Sequence, residues 1–233
     1  MLSSLKTELQ KFANPSQAKI LQKFFKTRKG QYGEGDIFLG LSSQQIKDVA
    51  KNFYGMELKE IQELLDSKIH EERMCALQIL MIQYKKAKKD LLKRREIFEF
   101  YLKNTKRINN WDLVDVSAPH IVGDFLQREG AQILKQLAMS ENVWEKRIAI
   151  VSTYAFVRRR NFGETLAIAD MLLNDKHDLI QKAVGWMLRE IGKRNKNVLE
   201  IFLSTRHKEM PRTMLRYAIE RFDKNEKQKW MKR

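Results

Sequence analysis

The stretch Asn109-Asn110-Trp111-Asp112-Leu113-Val114-Asp115 sets an indole at Trp111 and a carboxylate at Asp115 four positions apart. On a helix these two share a face, because residues i and i+4 lie one above the other. The surrounding chain carries 45 Lys+Arg against 29 Asp+Glu, a net charge of +16, with an isoelectric point near 9.8. Such a field attracts polyanions, nucleic acid first among them. A carboxylate held beside a polyanion opposes binding, so Asp115 must serve another purpose. Arg147 and Trp186 fall on later helices and complete the candidate set. Each member also has an ordinary use. Trp111 and Trp186 can be core aromatics, as can Trp144 and Trp230. Asp112 can cap a helix, and Asp115 can pair with Arg147.

Other chemistries find little support. His70, His120, His177 and His207 are scattered, with no His-x-x-x-His pair and no cysteine cluster, so neither a metal nor another cofactor is expected. No hydrolase elbow or kinase signature occurs. The glycine-rich run Gly30 to Asp36 has neither the spacing nor the preceding strand of a phosphate loop and reads as a flexible, exposed connector. Cys75 is the one cysteine, in the apolar run Met74-Cys75-Ala76-Leu77, and reads as a small core residue in a reducing compartment. No apolar run approaches the roughly 20 residues that span a bilayer. Met1 to Lys11 is too polar for a signal peptide. A cytoplasmic protein with no membrane partner is expected.

Apolar residues recur three and four apart with only three prolines and ten glycines to interrupt them, which predicts an all-α fold. Helices are expected at about 2–13, 16–29, 43–54, 57–67, 71–87, 90–103, 110–127, 130–139, 142–160, 164–173, 177–194, 197–205 and 211–222. Their starts are marked by Ser43 as an N-cap and by Pro15 and Pro211. Pro119 cannot donate to the carbonyl of Asp115, so a kink is expected there. Val143-Trp144-Glu145-Lys146-Arg147-Ile148-Ala149 aligns with Leu179-Ile180-Gln181-Lys182-Ala183-Val184-Gly185 at an offset of 36, and Trp111 lies the same distance before Arg147. Repetition at this period predicts one domain over 1–233, an α-solenoid (superhelix) of about six HEAT-like antiparallel helix pairs. Lys85, Lys86, Arg158, Arg159, Lys182, Arg189 and Lys193 would make its concave groove basic; solvated outer faces are the alternative.

Four segments carry a family resemblance over nearly the whole chain. They are Tyr32-Gly33-Glu34-Gly35-Asp36-Ile37-Phe38-Leu39-Gly40-Leu41, then Asn110 to Asp115, then Val143 to Arg147, and finally Ile180-Gln181-Lys182-Ala183-Val184-Gly185-Trp186-Met187-Leu188-Arg189-Glu190. With these the chain resembles the AlkD family of DNA alkylation repair glycosylases, which fold as HEAT-like repeats. The resemblance implies that Trp111 and Trp186 contact the sugar of the damaged nucleotide, that Asp115 is the catalytic carboxylate and that Arg147 binds backbone phosphate. Lys182, Arg189, Ser43 and Lys47 join the residues expected to touch DNA. One turn departs from the family: where a proline is frequent, this chain reads Leu41-Ser42-Ser43-Gln44.

A purine alkylated at N3 or N7 is cationic and leaves as a neutral base. Positive charge then gathers on the deoxyribose, as in glycosidase transition states. Asp115 would stabilise that charge and orient water, and the faces of Trp111 and Trp186 would favour the cationic sugar. The resemblance further implies engagement of the lesion from the backbone side without enclosing the base, unlike the usual base-flipping route. The expected function is therefore a monofunctional, monomeric, cofactor-free glycosylase that releases 3-methyladenine and 7-methylguanine from double-stranded DNA and associates with the nucleoid through that DNA. A non-catalytic nucleic-acid-binding protein and a protein-interaction scaffold are the rivals.

Overall fold

The computed structural model describes residues 1–232. Its helices are α1 (Leu2–Lys11), α2 (Pro15–Phe24), α3 (Ser43–Asn52), α4 (Leu58–Leu65), α5 (His70–Lys86), α6 (Leu91–Lys103), α7 (Trp111–Ser117), α8 (Asp124–Glu129), α9 (Gln132–Ala138), α10 (Val143–Ser152), α11 (Tyr154–Arg158), α12 (Gly163–Met171), α13 (Asp178–Gly192), α14 (Lys196–Arg206), α15 (Arg212–Ala218) and α16 (Lys224–Met231). Among the described residues, extended pairing is limited to an isolated bridge between Ile37 and Ile69. The fold is thus the all-α helical-repeat architecture expected. No helix among those residues is long and apolar enough to cross a membrane.

Many starts follow from short polar side chains that satisfy the free N–H groups of a first turn. Asn14 caps α2 ahead of Pro15, Asp90 caps α6, Asn142 caps α10 and Asn195 caps α14. Helix α3 is capped by Ser42, not Ser43: the Ser42 hydroxyl accepts from the Gln45 amide, and the Gln45 side chain reaches back to the Ser42 N–H. The reciprocal glutamine three positions on selects Ser42 as the cap.

Helix α2 stops at Phe24, short of the expected 29. Lys26 adopts the left-handed region at φ 52°, turning the chain so that Phe25 faces inward. Gly33 then packs on this turn, where any β-carbon would run into the Phe25 carbonyl. The expected helix 110–127 is three pieces. Helix α7 ends at Ser117, and Pro119–Gly123 forms a π-helical turn in which the Gly123 N–H donates to the Ala118 carbonyl at 2.9 Å. Proline supplies no N–H to the Asp115 carbonyl, and the ladder slips by one residue. The segment 142–160 likewise divides, into α10 and α11, and α16 lies beyond the expected helices.

The chain forms two compact units, Met1–Leu113 and Val114 onward. In the first, α5 is buried from His70 through Leu80, as a helix surrounded on all sides must be. Leu5 and Leu9 of α1, Ile46 and Val49 of α3, Ile61 and Leu64 of α4, and Ile97 and Tyr101 of α6 are buried with it. Cys75 belongs to this core, and burial pushes its thiol up to about 12. In the second unit α13 is central. Gly185 meets α15 backbone to backbone, since a β-carbon there would strike the Met214 carbonyl and the Tyr217 side chain. Helices α10 and α13, which carry the two copies of the 36-residue repeat, pack against each other.

Candidate functional site

Helix α7 carries Trp111 and Asp115 one turn apart. Each has its own surroundings. On the first unit's side, the Asn110 side chain, fully buried, accepts the Trp111 N–H at 2.8 Å and donates to Asp36 at 3.2 Å. The Trp111 ring, half-buried, stacks on Phe25 with centroids 5.2 Å apart and planes 16° off parallel. Phe24 meets it edge-on at 6.0 Å, and its Nε1–H donates to the Tyr32 hydroxyl at 3.3 Å. Behind Phe25 come Phe38, stacked at 5.0 Å, and the His70 ring, stacked on Phe38 at 4.5 Å.

His70 ends this aromatic column and begins a polar one. Its Nδ1 lies 3.1 Å from an Asp36 oxygen and its Nε2 lies 2.8 Å from an Asp112 oxygen. Arg73 donates to the other Asp36 oxygen at 2.6 Å. Burial would depress the His70 pKa, but the Asp112 charge and the hydrogen bonds to Asp112 and Asp36 outweigh it and raise the pKa to about 9. Burial alone would raise the pKa of Asp36. Its hydrogen bond from His70 and the charges of Arg73 and His70 prevail and hold it below the usual range. The run Gly30 to Asp36 is therefore no plain connector, since it ends in a buried carboxylate that gathers His70, Arg73 and Asn110. His70 and Asp36 were missed in the sequence because partners 34 and 74 positions away leave no local spacing signal.

On the second unit's side, Arg147 donates Nε to one Asp115 oxygen at 2.9 Å and Nη2 to the other at 2.8 Å. A third N–H, on Nη1, goes to the Leu179 carbonyl. The guanidinium is buried, whereas the Asp115 side chain keeps 20% of its surface exposed. This pairing, the alternative to a phosphate contact, is formed. Its geometry is the bidentate fork that fixes a carboxylate in plane and position. Trp186 is half-buried one residue after Gly185, with the Tyr154 ring at 6.3 Å. Tyr154 in turn lies under the Arg194 guanidinium at 5.6 Å. Trp144 and Trp230 are core residues.

Besides Arg147, the residues expected at DNA lie on two helices, α3 and α13. Ser43 and Lys47 are exposed on α3. Lys182 pairs with Asp178 at 2.6 Å on α13, and Arg189 pairs with Glu220. Lys193 pairs with Glu190, and Lys86 lies over the Tyr54 ring. Among the described residues, no group of three or more His, Cys, Asp or Glu side chains is arranged to hold a metal ion.

Comparison with known proteins gives a family and a fold. The family described as DNA alkylation repair enzyme matches residues 5–222. Among solved structures, a predicted DNA alkylation repair enzyme from Enterococcus faecalis superposes with a TM-score of 0.68 at 16% identity, covering 91% of this chain and 97% of that one. AlkD2 from Streptococcus mutans gives 0.58 at 19% identity, covering 88% and 97%. The smu.31 protein from Streptococcus mutans UA159 gives 0.56 at 18% identity, covering 90% and 96%. No curated protein matches the chain.

Proposed function

The chain belongs to the DNA alkylation repair enzyme family, and from that premise we propose that it is a DNA glycosylase acting on cationic alkylated purines in duplex DNA. The observation that carries this reading is the Asp115–Arg147 clamp. It holds a partly exposed carboxylate in one orientation, one helical turn from the half-buried ring of Trp111. Hydrolysis of the N-glycosidic bond of an N3- or N7-alkylpurine needs little acid, because the base departs neutral. It needs negative potential at the sugar, where charge develops. A carboxylate fixed in advance supplies that without reorganising, a contribution on the order of 3 to 4 kcal/mol for one well-placed group. Trp111 and Trp186 would add the negative faces of their rings.

In this proposal Ser43, Lys47, Lys182 and Arg189 contact the phosphate backbone, with Lys182 and Arg189 exchanging their carboxylate partners for phosphate. Arg147 serves chiefly to hold Asp115. The enzyme works as a cytoplasmic, nucleoid-associated monomer without a cofactor and leaves an abasic site. The direct test is incubation with methylated duplex DNA and chromatography of the released bases. Release of 3-methyladenine and 7-methylguanine is expected, and their absence would overturn the reading. The same clamp favours a second reading, DNA binding without catalysis: Arg147 already neutralises Asp115, and a neutralised carboxylate has less charge to offer a sugar. Retained affinity for methylated duplex without base release would select it.

A further inference from the structure

Trp111 is held by more than its immediate neighbours, and the arrangement beneath it has a chemical consequence. Both ring nitrogens of His70 face carboxylate oxygens, Asp36 at Nδ1 and Asp112 at Nε2. A neutral imidazole has one N–H and one lone pair, and so can satisfy only one of these acceptors. The imidazolium satisfies both. Asp36 faces His70 from the turn before the Ile37 bridge, Asp112 faces it from α7, and Arg73 lies one turn along on α5 itself. Two cations and two carboxylates balance when His70 is charged, and a buried net charge of −1 remains when it is not.

We infer that His70 is a positioning residue for Trp111: as a cation bridging Asp36 and Asp112 it pins the first turn of α7 and backs the Phe38–Phe25–Trp111 stack. Asp36 is buried, away from water that could take the place of the imidazole N–H, so loss of the His70 proton releases the bond to Asp112. The Asp112 side chain, 19% exposed, can turn to water. Asp112 is the neighbour of Trp111 in the first turn of α7, and its other oxygen accepts the Leu113 N–H at 2.8 Å. Releasing it frees the turn that carries the indole. The raised pKa of His70 keeps the bridge closed at neutral pH. The importance of Trp111 to base excision rests on the glycosylase reading; the coupling of its ring to His70 does not.

The test separates the two. Protein carrying 5-fluorotryptophan gives one fluorine resonance for each of its four tryptophans, and Trp111→Phe assigns the one of interest. In the wild type the Trp111 resonance should shift with a midpoint near pH 9. His70→Gln should abolish the shift and hold the resonance near its high-pH position throughout. Asp112→Asn, which keeps the shape and weakens the charge on His70, should lower the midpoint toward the ordinary histidine range near 6.5 and stands in if His70→Gln does not fold. Single-turnover excision should fall across the same transition. His70→Gln should lower the single-turnover rate constant by roughly ten- to a hundred-fold with little change in the enzyme concentration that half-saturates it, the scale expected when a distant change displaces a reacting constellation. A Trp111 resonance without a transition, or one that persists in His70→Gln or keeps its midpoint in Asp112→Asn, would overturn the inference. An intact transition in a protein that releases no base would uphold it and reject the glycosylase reading.

Discussion

The two ends of α7 are secured by opposite means. Trp111 rests on a layered support of Phe25, Phe38 and His70, with buried carboxylates and Arg73 behind it. Asp115, one turn on, is gripped by a buried guanidinium. A ring offers only a face, and a stack of rings fixes a face well. A carboxylate offers direction and charge, which a bidentate fork fixes at the cost of partly neutralising it. The aromatic end is thus layered and pH-sensitive, the carboxylate end clamped by an ion pair and sensitive to its loss. Between Asp115 and α8 the π-helical turn at Pro119–Gly123 breaks the regular ladder, as π turns at functional positions often do.

The largest effect expected is at the carboxylate. Asp115→Asn keeps the shape and removes the charge that would meet the cationic sugar. We expect excision of 7-methylguanine to fall by about a hundred- to a thousand-fold, the scale for losing one preorganised electrostatic group. Duplex affinity should be unchanged or slightly higher, because a negative charge near phosphate is gone. Excision kinetics equal to wild type would remove Asp115 from the mechanism.

The aromatic end should respond to pH. The His70 pKa is raised from 6.5 to about 9, so the stabilisation it brings is present in full below the unfolded value, about 6.5, and is lost as pH rises through about 9. The amount is on the order of 3 kcal/mol. Asp36, whose pKa is lowered from 3.8, contributes in the opposite sense, with stability lost as pH falls below that value. Denaturant midpoints should therefore decline between about pH 7 and 10, and His70→Gln should flatten that decline. An equal decline in the variant would assign it to other groups.

Arg147→Ala tests the other end. Breaking a buried pair by removing one partner costs about 3 to 5 kcal/mol; Asp115 is partly exposed, so about 2 to 3 kcal/mol is expected, read as a lower Tm. Excision should fall as well, since the carboxylate loses its fixed direction. If Arg147 instead binds phosphate, affinity should weaken for every sequence and the salt slope should flatten by about one contact. An unchanged Tm with a flattened slope would return Arg147 to the backbone-binding set.

Periodicity, the 36-residue repeat and the prolines at helix starts made the helical-repeat fold readable. Pro119 announced the break after Asp115 by what it lacks. The turn at Phe25 and Lys26 could not be read, because nothing before Gly30 breaks the helical pattern; the helix ends early so that Phe25 can enter the aromatic column. The Asp36–His70–Asp112 bridge was also hidden. Its members are 34 and 42 positions apart, and each alone looks like an ordinary loop aspartate, isolated histidine or helix cap. Trp111 and Asp115 stood out because their spacing is four.

The smallest effect expected separates the stack from the hydrogen bond at Trp111. The indole N–H donates to the Tyr32 hydroxyl at 3.3 Å, long for a hydrogen bond, and both residues are half-buried, so water can replace the hydroxyl. Tyr32→Phe keeps the ring and deletes the hydroxyl that accepts the indole N–H. Its cost should stay below about 1 kcal/mol in stability, with excision within about three-fold of wild type, equivalent to under about 1 kcal/mol. The Trp111 fluorine resonance should still titrate with His70, since the column through Phe25 and Phe38 is untouched. A loss in Tyr32→Phe as large as that in His70→Gln would mean that the indole is held by its edge. The polar bridge beneath it would then be a structural feature of the first unit, without a hold on the ring.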